Sequence, residues 1–239
     1  MRLVIIFALM RRYMFLLLVL FAGLNTKAQT IDEDQLGAWY MYFFNKKFGE
    51  SQFGIQGDYQ FRYWNAGSDL EQILLRTGFT YNPKNTNVTL TLGYGNITTG
   101  AFGDSNDTFN ESRVYQEALI PQKIGKRIFL THRFRYEQRW VNDQDFRTRY
   151  RYNIFLNLTL NATSLTKGTY YLALYNELFI NGQLSIGDGR SVQSFDRNRT
   201  YLGFGYGLSK NLRMQLGWMK QTTVNWAKGQ AQLSLHHKL

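Results

Sequence analysis

The sequence predicts an all-β protein, a transmembrane antiparallel up-and-down β-barrel of about twelve strands after an N-terminal signal peptide. In residues 146–160 apolar and polar side chains alternate, which is the pattern of a strand with one apolar and one charged face. The alternation recurs along most of the chain. Beyond the N-terminal segment, no run approaches the roughly 18 consecutive apolar residues of a spanning helix. Strands that are apolar toward lipid and polar toward the interior are typical of outer-membrane barrels.

The composition agrees with this fold class and excludes several kinds of function. The chain has 18 Phe, 16 Tyr and 21 Gly but two Pro, which suits long strands and tight turns. It has no Cys, so disulfides, thiolate metal sites and lipoprotein anchoring are excluded, and we expect no cofactor. The net charge of +11 raises the question of nucleic-acid binding. The arginines of the chain occupy alternate strand positions rather than an exposed stripe, so we expect no nucleic-acid partner.

The N-terminal segment has the features of a secretory signal peptide. Arg11 and Arg12 precede an apolar run over residues 14–24, and Ala28 ends a short stretch that a signal peptidase could cleave. We therefore expect cleavage after Ala28, a signal peptide of residues 1–28 and a barrel domain of residues 29–239. Met10 directly precedes the positive charges and is an alternative start to Met1.

The first four barrel strands after the signal peptide are predicted at residues 39–46, 53–64, 73–81 and 88–95. Residues 48–51, 65–69 and 83–85 form the turns between them. From the second strand onward the outward side chains are Phe53, Ile55, Tyr59, Phe61, Tyr63, Ile73, Leu75, Phe79, Tyr81, Val88, Leu90, Leu92 and Tyr94. The inward ones are Gln56, Asp58, Gln60, Arg62, Gln72, Arg76, Thr80, Thr89, Thr91, Gly93 and Gly95.

The second part of the chain contributes strands at residues 113–120, 127–140, 146–160, 170–180, 199–207, 212–218 and 231–236. Ile128, Leu130, Phe134, Tyr136 and Trp140 are expected outside on the second of these strands. On the later strands, the expected outward residues include Leu202, Phe204, Leu216, Trp218 and Leu233. Inward glycines such as Gly203 and Gly205 are explained by steric relief opposite bulky residues.

The number of strands follows from an argument about parity. The alternation gives eleven segments, whereas bacterial single-chain barrels have even numbers of strands. Two long polar loops, residues 98–112 and 182–196, fall at the same end if the strands are antiparallel. If these loops are outside the cell, the last strand ends in the periplasm. The first strand must then also begin in the periplasm, which requires one more strand at residues 31–37. We therefore predict twelve strands, with ten as the alternative.

Charged side chains on the inward face are the most specific signal of a functional site. Hairpin pairing places Glu117 near Arg133, Glu137 near Arg149 and Glu177 near Arg151. Buried guanidinium groups need carboxylate partners, so one interpretation is a salt-bridged, structural interior. Inward arginines outnumber inward carboxylates by about three to one on this assignment. The other interpretation is therefore that unpaired guanidinium groups form an anion-selective lumen or a site for a carboxylate, phosphate or sulfate. The candidate lumen residues are Arg133, Arg135, Glu137, Arg139, Arg147, Arg149, Arg151, Glu177 and Arg199.

Catalysis and metal binding have less support. A lipid-modifying barrel enzyme would need a nucleophile beside a base. His132 is predicted on the lipid face, but its expected cross-strand neighbours, Gln116 and Ile154, are not nucleophiles. His236 and His237 are adjacent on a strand and point to opposite faces, which makes them poor metal co-ligands. We therefore expect no enzymatic activity and no metal site.

Four segments of the chain carry a resemblance to a known family: the Ala28-Gln29-Thr30 end of the signal peptide, the early Leu36-Gly37-Ala38-Trp39 segment, and the two strands with arginine at alternate positions, 133–139 and 147–151. In these segments the chain resembles DUF2490, a family of uncharacterised bacterial outer-membrane β-barrel proteins. The resemblance covers most of the chain after the signal peptide. The resemblance implies a barrel with no established activity, so it transfers no catalytic residue.

The sequence thus predicts a monomeric, porin-like barrel in the outer membrane of a Gram-negative cell. Its partners would be outer-membrane lipid and small anionic solutes. Passage of anions or other small solutes is the leading specific function. The alternative is a non-conducting structural or interaction barrel with a salt-bridged interior, and a lipid-modifying enzyme ranks below both.

Overall fold

A computed structural model describes residues 31–103 and 105–239. The expected signal peptide and the alternative start at Met10 lie outside the described residues. All regular structure in the described part consists of thirteen strands. In chain order these are β1 (Gly37–Lys47), β2 (Phe53–Asn65), β3 (Ser68–Tyr81), β4 (Thr89–Gly100), β5 (Thr108–Ile124), β6 (Ile128–Val141), β7 (Arg147–Thr159), β8 (Tyr170–Asn181), β9 (Ser185–Gly187), β10 (Arg190–Ser191), β11 (Phe195–Gly207), β12 (Leu212–Thr222) and β13 (Ala227–Lys238).

Eleven of the described strands form one closed barrel. Its order is β1 to β8, then β11, β12 and β13, which returns to β1. Ten of the neighbouring pairs are antiparallel. The closing pair is parallel: β1 and β13 are in register from Gly37 opposite Gln230 to Asn45 opposite Lys238. Closure leaves no unpaired edge of backbone N–H and C=O groups.

The predicted strand numbers, twelve and ten, are both wrong for the described chain, and the barrel is mixed rather than wholly antiparallel. The parity argument assumed an antiparallel closing pair, which requires an even number of strands. A parallel closing pair puts the start of β1 and the end of β13 at opposite mouths, so an odd number closes. Residues 31–36 form no strand, and the extra strand expected at 31–37 is absent from the described part. The eleven alternating segments are the eleven barrel strands.

The two predicted long loops are shorter than expected because strands extend into them. β4 continues to Gly100 and β5 begins at Thr108, so the first connection is residues 101–107. The second connection, residues 182–194, contains the two-stranded sheet of β9 and β10. Both connections lie at the mouth where β1 begins, which we call the N-mouth. The opposite end, where β13 finishes, is the C-mouth.

The side-chain directions predicted from the alternation are confirmed. Leu92 and Phe204 on the outer face are each 60% exposed, whereas Arg62 on the inner face is 3% exposed. The interior also holds an apolar cluster of Trp39, Tyr171, Ala173, Tyr201 and Met219. A Cβ atom at Gly205 would overlap the Tyr171 ring, and one at Gly203 would overlap the Tyr201 ring. These two inward glycines therefore provide the steric relief that the sequence predicts.

No helix in the described ranges combines the length and the apolar character that a helical membrane span requires.

Candidate functional site in the barrel interior

All nine charged residues predicted for the lumen point into the barrel. They come from β6, β7, β8 and β11, where the two-residue period puts every second side chain inside. Eight of the nine are classed as buried, and Arg133 has a side chain that is 12% exposed. The structure therefore brings them together in one interior, although their role in binding a solute stays a prediction. These residues are Arg133, Arg135, Glu137, Arg139, Arg147, Arg149, Arg151, Glu177 and Arg199.

Glu137 is the centre of one part of the interior ion-pair network. Arg149 donates to Glu137 Oε2 from Nε at 3.0 Å and from Nη2 at 2.6 Å. Arg151 Nη1 donates to the other carboxylate oxygen at 2.5 Å. Glu137 has no exposed surface, so these partners replace the water that the carboxylate loses on burial. The predicted proximity of Glu137 to Arg149 is confirmed.

Glu177 is the second centre of the network. Its Oε1 accepts from Arg151 Nε at 2.9 Å and Nη2 at 2.5 Å, and from Arg133 Nη2 at 2.6 Å. Arg199 Nη1 lies 3.8 Å from Oε2. The predicted pairing of Glu177 with Arg151 is confirmed. Arg151 bridges the two centres because its fork of donors faces both carboxylates.

Glu117 joins the same network from β5. Arg135 donates to Glu117 Oε2 from Nε at 2.6 Å, and its Nη2 lies 2.5 Å from the same oxygen. The predicted partner, Arg133, is also present, but its Nε is 3.7 Å away. The strand register explains the order, since Glu117 stands directly opposite Arg135. The direct partner is therefore two residues from the predicted one, a slip that hairpin counting alone does not prevent.

The arginines have more carboxylate partners than the three pairs that the sequence predicts. Asp58 accepts from Arg76 Nη2 at 2.7 Å, and Asp196 accepts from Arg149 Nη1 at 2.7 Å. In the described chain the buried charged residues include nine arginines and six carboxylates. The predicted ratio of three to one is therefore too high.

Two further interior carboxylates, Glu71 and Glu111, lie outside the alternation that the sequence predicts. Glu71 lies where the register between β2 and β3 shifts, so its side chain departs from the two-residue period. Glu111 lies in residues 98–112, the segment predicted as a loop. Extending the alternation of β5 backwards from Arg113 would have found Glu111, whereas no sequence signal marks the bulge at Glu71.

The Trp39 ring on β1 also contacts the charged network. Trp39 was not assigned a direction from the sequence, and it lies inside with its Nε1 donating to Glu71 Oε2 at 2.7 Å. The guanidinium carbon of Arg62 lies 3.7 Å from the centre of the Trp39 ring, and that of Arg199 lies 4.7 Å from it. Such stacking stabilises a buried guanidinium group without neutralising its charge.

Two cavities inside the described barrel are lined by the charged residues. The N-chamber, at the N-mouth, has a volume of about 310 Å³, and the C-chamber, at the C-mouth, has about 320 Å³. Four side chains line both chambers: Arg62, Arg76, Arg151 and Arg199. Each of the four is buried. They lie between the two chambers, in the middle of the barrel, and we call these four side chains the partition.

Arg139 and Arg147 lie in the N-chamber, on the N-mouth side of the partition. Arg139 donates to Glu111 from Nε at 2.5 Å and from Nη2 at 2.9 Å. Arg147 makes no ion pair or hydrogen bond with the residues that the structure describes. The nine predicted residues therefore divide into an interlocked central group and these two near the N-mouth.

The histidines occupy the faces that the sequence predicts. His132 lies on the outer face opposite Ile154, as expected, but its partner on β5 is Ile120 rather than Gln116. Its Nδ1 lies 2.7 Å from the hydroxyl oxygen of Tyr152. We therefore find a tyrosine beside His132 that the sequence argument missed.

The two C-terminal histidines point to opposite faces, as predicted. His236 is inside, with its Nε2 3.0 Å from Ser234 Oγ, and His237 is outside, with its Nδ1 2.8 Å from Tyr42 OH. Ser234 and His236 are two residues apart on β13 and were not considered as a pair. Among the described residues, no group of three or more His, Cys, Asp or Glu side chains is placed to hold a metal ion.

A comparison with known families identifies the family of this chain. Residues 36–232 match the model of the family described as Protein of unknown function (DUF2490). The chain belongs to this family. The match begins one residue before β1 and ends within β13, so it covers the barrel from its first strand to its last. No curated protein and no solved structure matches the chain.

Proposed function

We propose that this DUF2490 protein is a monomeric, non-enzymatic outer-membrane β-barrel that admits small anionic solutes to an arginine-rich interior. The observation that carries the proposal is the buried charge, nine arginines against six carboxylates in the described chain. Guanidinium groups bind carboxylates and phosphates through paired donors, and arginine-lined pores favour anions. Cations would meet a repulsive potential along the same path.

The outer face supports a position in a membrane. Large apolar side chains such as Leu92, Phe204 and Leu216 are exposed on it. Aromatic pairs lie near both rims: Trp140 and Phe146 at the N-mouth, with ring centres 5.2 Å apart, and Tyr170 and Tyr206 at the C-mouth, 4.8 Å apart. An apolar band between two aromatic girdles is typical of outer-membrane barrels. A soluble barrel would leave this surface in water.

The partition determines how anions would pass. Arg76, Arg151 and Arg199 are held by ion pairs, and Arg62 is held by hydrogen bonds to Gln60 and Gln72. We expect passage between the chambers to require rearrangement of these four side chains. We expect a small conductance rather than that of an open general porin.

The partition also favours a second candidate function. A barrel whose central arginines are held by Glu137, Glu177 and Glu117 conducts nothing if the network does not rearrange. Its role would then lie in the chambers or the loops. This is a non-conducting structural or interaction barrel with a salt-bridged interior.

Single-channel conductance in planar bilayers separates the two candidates. The refolded chain is compared with the double variant Arg149→Gln/Arg151→Gln and with Arg190→Gln, which changes an exposed arginine on β10. We expect small anion-selective currents, a lower anion-to-cation permeability ratio in the double variant and no change in Arg190→Gln. Heat-modifiable electrophoretic mobility checks that each barrel is folded. A folded but silent wild-type barrel would refute passage and leave the non-conducting barrel.

A further inference from the structure

Three arginines stand side by side on neighbouring strands in the N-chamber. Arg113 on β5 is directly opposite Arg139 on β6, and Arg139 is directly opposite Arg147 on β7. Directly paired residues of antiparallel strands have Cβ atoms only about 4.5–5.5 Å apart. Like charges at that spacing repel each other, so this row needs negative charge nearby.

One carboxylate serves the row. Glu111 accepts from Arg113 Nε at 2.5 Å and Nη2 at 2.7 Å, and it accepts from Arg139 Nε at 2.5 Å and Nη2 at 2.9 Å. Both oxygens of Glu111 are thus engaged by two arginines. The row of three guanidinium groups therefore contacts a single carboxylate. Asp196, the other carboxylate near Arg147, is already paired with Arg149 and Arg197, so positive charge is in excess along the row.

Arg147 is the arginine that Glu111 does not satisfy. It is 8% exposed, and its Nε is buried without a hydrogen-bond partner in the described chain. It forms no ion pair there either, although every other arginine predicted for the lumen has a carboxylate within 4.0 Å. A buried guanidinium group without a partner is unfavourable unless something else supplies the acceptor.

The space beside Arg147 can hold such an acceptor. Arg113, Arg139 and Arg147 line the N-chamber together with Glu111, Gln144 and Trp226. Its volume of about 310 Å³ exceeds the roughly 30 Å³ that one water molecule occupies in the liquid by a wide margin. A small oxyanion with its hydration water therefore fits.

We propose that Arg113, Arg139 and Arg147 form a binding site for a small phosphate-class oxyanion, with Arg147 as its principal donor. The planar fork of arginine matches two oxygens of such an anion, and the excess positive charge along the row selects a dianion over a neutral solute. The site rests on the proposed entry of small anions from the N-mouth, but it does not require passage through the partition. A lipid phosphate shares this chemistry, yet the site lies inside the barrel, so we assign it to a free solute.

Titration with inorganic phosphate tests the site. The full chain is folded in a phosphate-free detergent, and binding is measured by isothermal titration calorimetry for the wild type, Arg147→Gln and Arg190→Gln. We expect saturable binding that Arg147→Gln weakens by about tenfold or more and that Arg190→Gln leaves unchanged. Chloride at the same ionic strength serves as the control for general screening.

Thermal unfolding gives a second readout. Because Arg147 has no partner in the described chain, Arg147→Gln should fold and should unfold at a higher temperature than wild type in phosphate-free buffer. It should also lose the phosphate-dependent rise in that temperature.

A parallel titration with micelles that contain short-chain phosphatidic acid distinguishes a lipid phosphate from the free ion. Binding of the lipid without binding of the free ion would overturn the proposal, as would equal phosphate affinity of wild type and Arg147→Gln.

The results for binding and for passage are separable. A barrel that is silent in bilayers but binds phosphate through Arg147 refutes passage and keeps the site. Anion-selective conductance without phosphate binding that depends on Arg147 refutes the site and keeps passage.

Discussion

Replacing Glu137 with glutamine tests whether the interior ion pairs hold the barrel together. Glu137 has no exposed surface and accepts three hydrogen bonds, two from Arg149 and one from Arg151. Glutamine is nearly the same size, so it leaves the packing intact. The glutamine side chain keeps one acceptor oxygen. Its amide nitrogen replaces the other oxygen and places an N–H donor against the N–H donors of Arg149 or Arg151.

The expected loss of stability follows from these contacts. Removal of one member of a buried ion pair leaves an uncompensated charge and typically costs about 3–5 kcal/mol. Arg149 keeps Asp196 as a partner and Arg151 keeps Glu177, which moderates the effect. We therefore expect Glu137→Gln to lower the free energy of unfolding by about 3 kcal/mol, the lower end of that range.

Reversible urea unfolding in detergent, followed by tryptophan fluorescence, measures this loss. Glu50→Gln is the matched control, because Glu50 is exposed in the turn between β1 and β2 and should change stability by less than about 0.5 kcal/mol. In a double-mutant cycle with Arg149→Gln we expect a coupling of about 1–3 kcal/mol. A loss below about 1 kcal/mol for Glu137→Gln would refute the claim that the network stabilises the barrel.

Two further substitutions probe the outer face and the inner packing. Leu216→Arg, in the middle of β12, should lower the free energy of unfolding in lipid vesicles by about 2–4 kcal/mol if lipid covers the outer face, whereas Thr222→Arg at the strand's end should cost about 0–1 kcal/mol. Equal effects at the two positions would contradict membrane embedding. Gly205→Ala should cost about 1–3 kcal/mol in urea unfolding because its new methyl group overlaps the Tyr171 ring. Adding Tyr171→Leu should recover part of that loss, and no recovery would show that the strain lies elsewhere.

The direction of the side chains could be predicted from the sequence because it depends on a local rule. Successive residues of a strand point to opposite faces, so Arg149 and Tyr150 were assigned correctly without knowledge of the fold. The same rule fails where the backbone departs from regular pairing. Glu71 lies at a register shift, and its entry into the interior beside Trp39 depends on that irregularity.

Partner choice within the interior was only partly predictable. Hairpin counting brought Glu137 to Arg149, because both lie close to the turn that sets their register. It left Glu117 two residues from its direct partner, Arg135. It also gave no information about contacts between strands that are distant in the chain, such as Asp196 with Arg149.

Local alternation and turn chemistry in the sequence predicted a barrel with eleven alternating segments, apolar residues outward and charged residues inward, although the parity argument then raised the expected number of strands to twelve. Only the folded structure reveals that β1 and β13 close the ring in parallel, which makes the odd number of strands possible. It alone decided that the arginines form a partition between two chambers and that Arg147 is left without a described partner. Closure and side-chain pairing across the interior depend on the three-dimensional separation of residues that are far apart in sequence, and no local pattern encodes that separation.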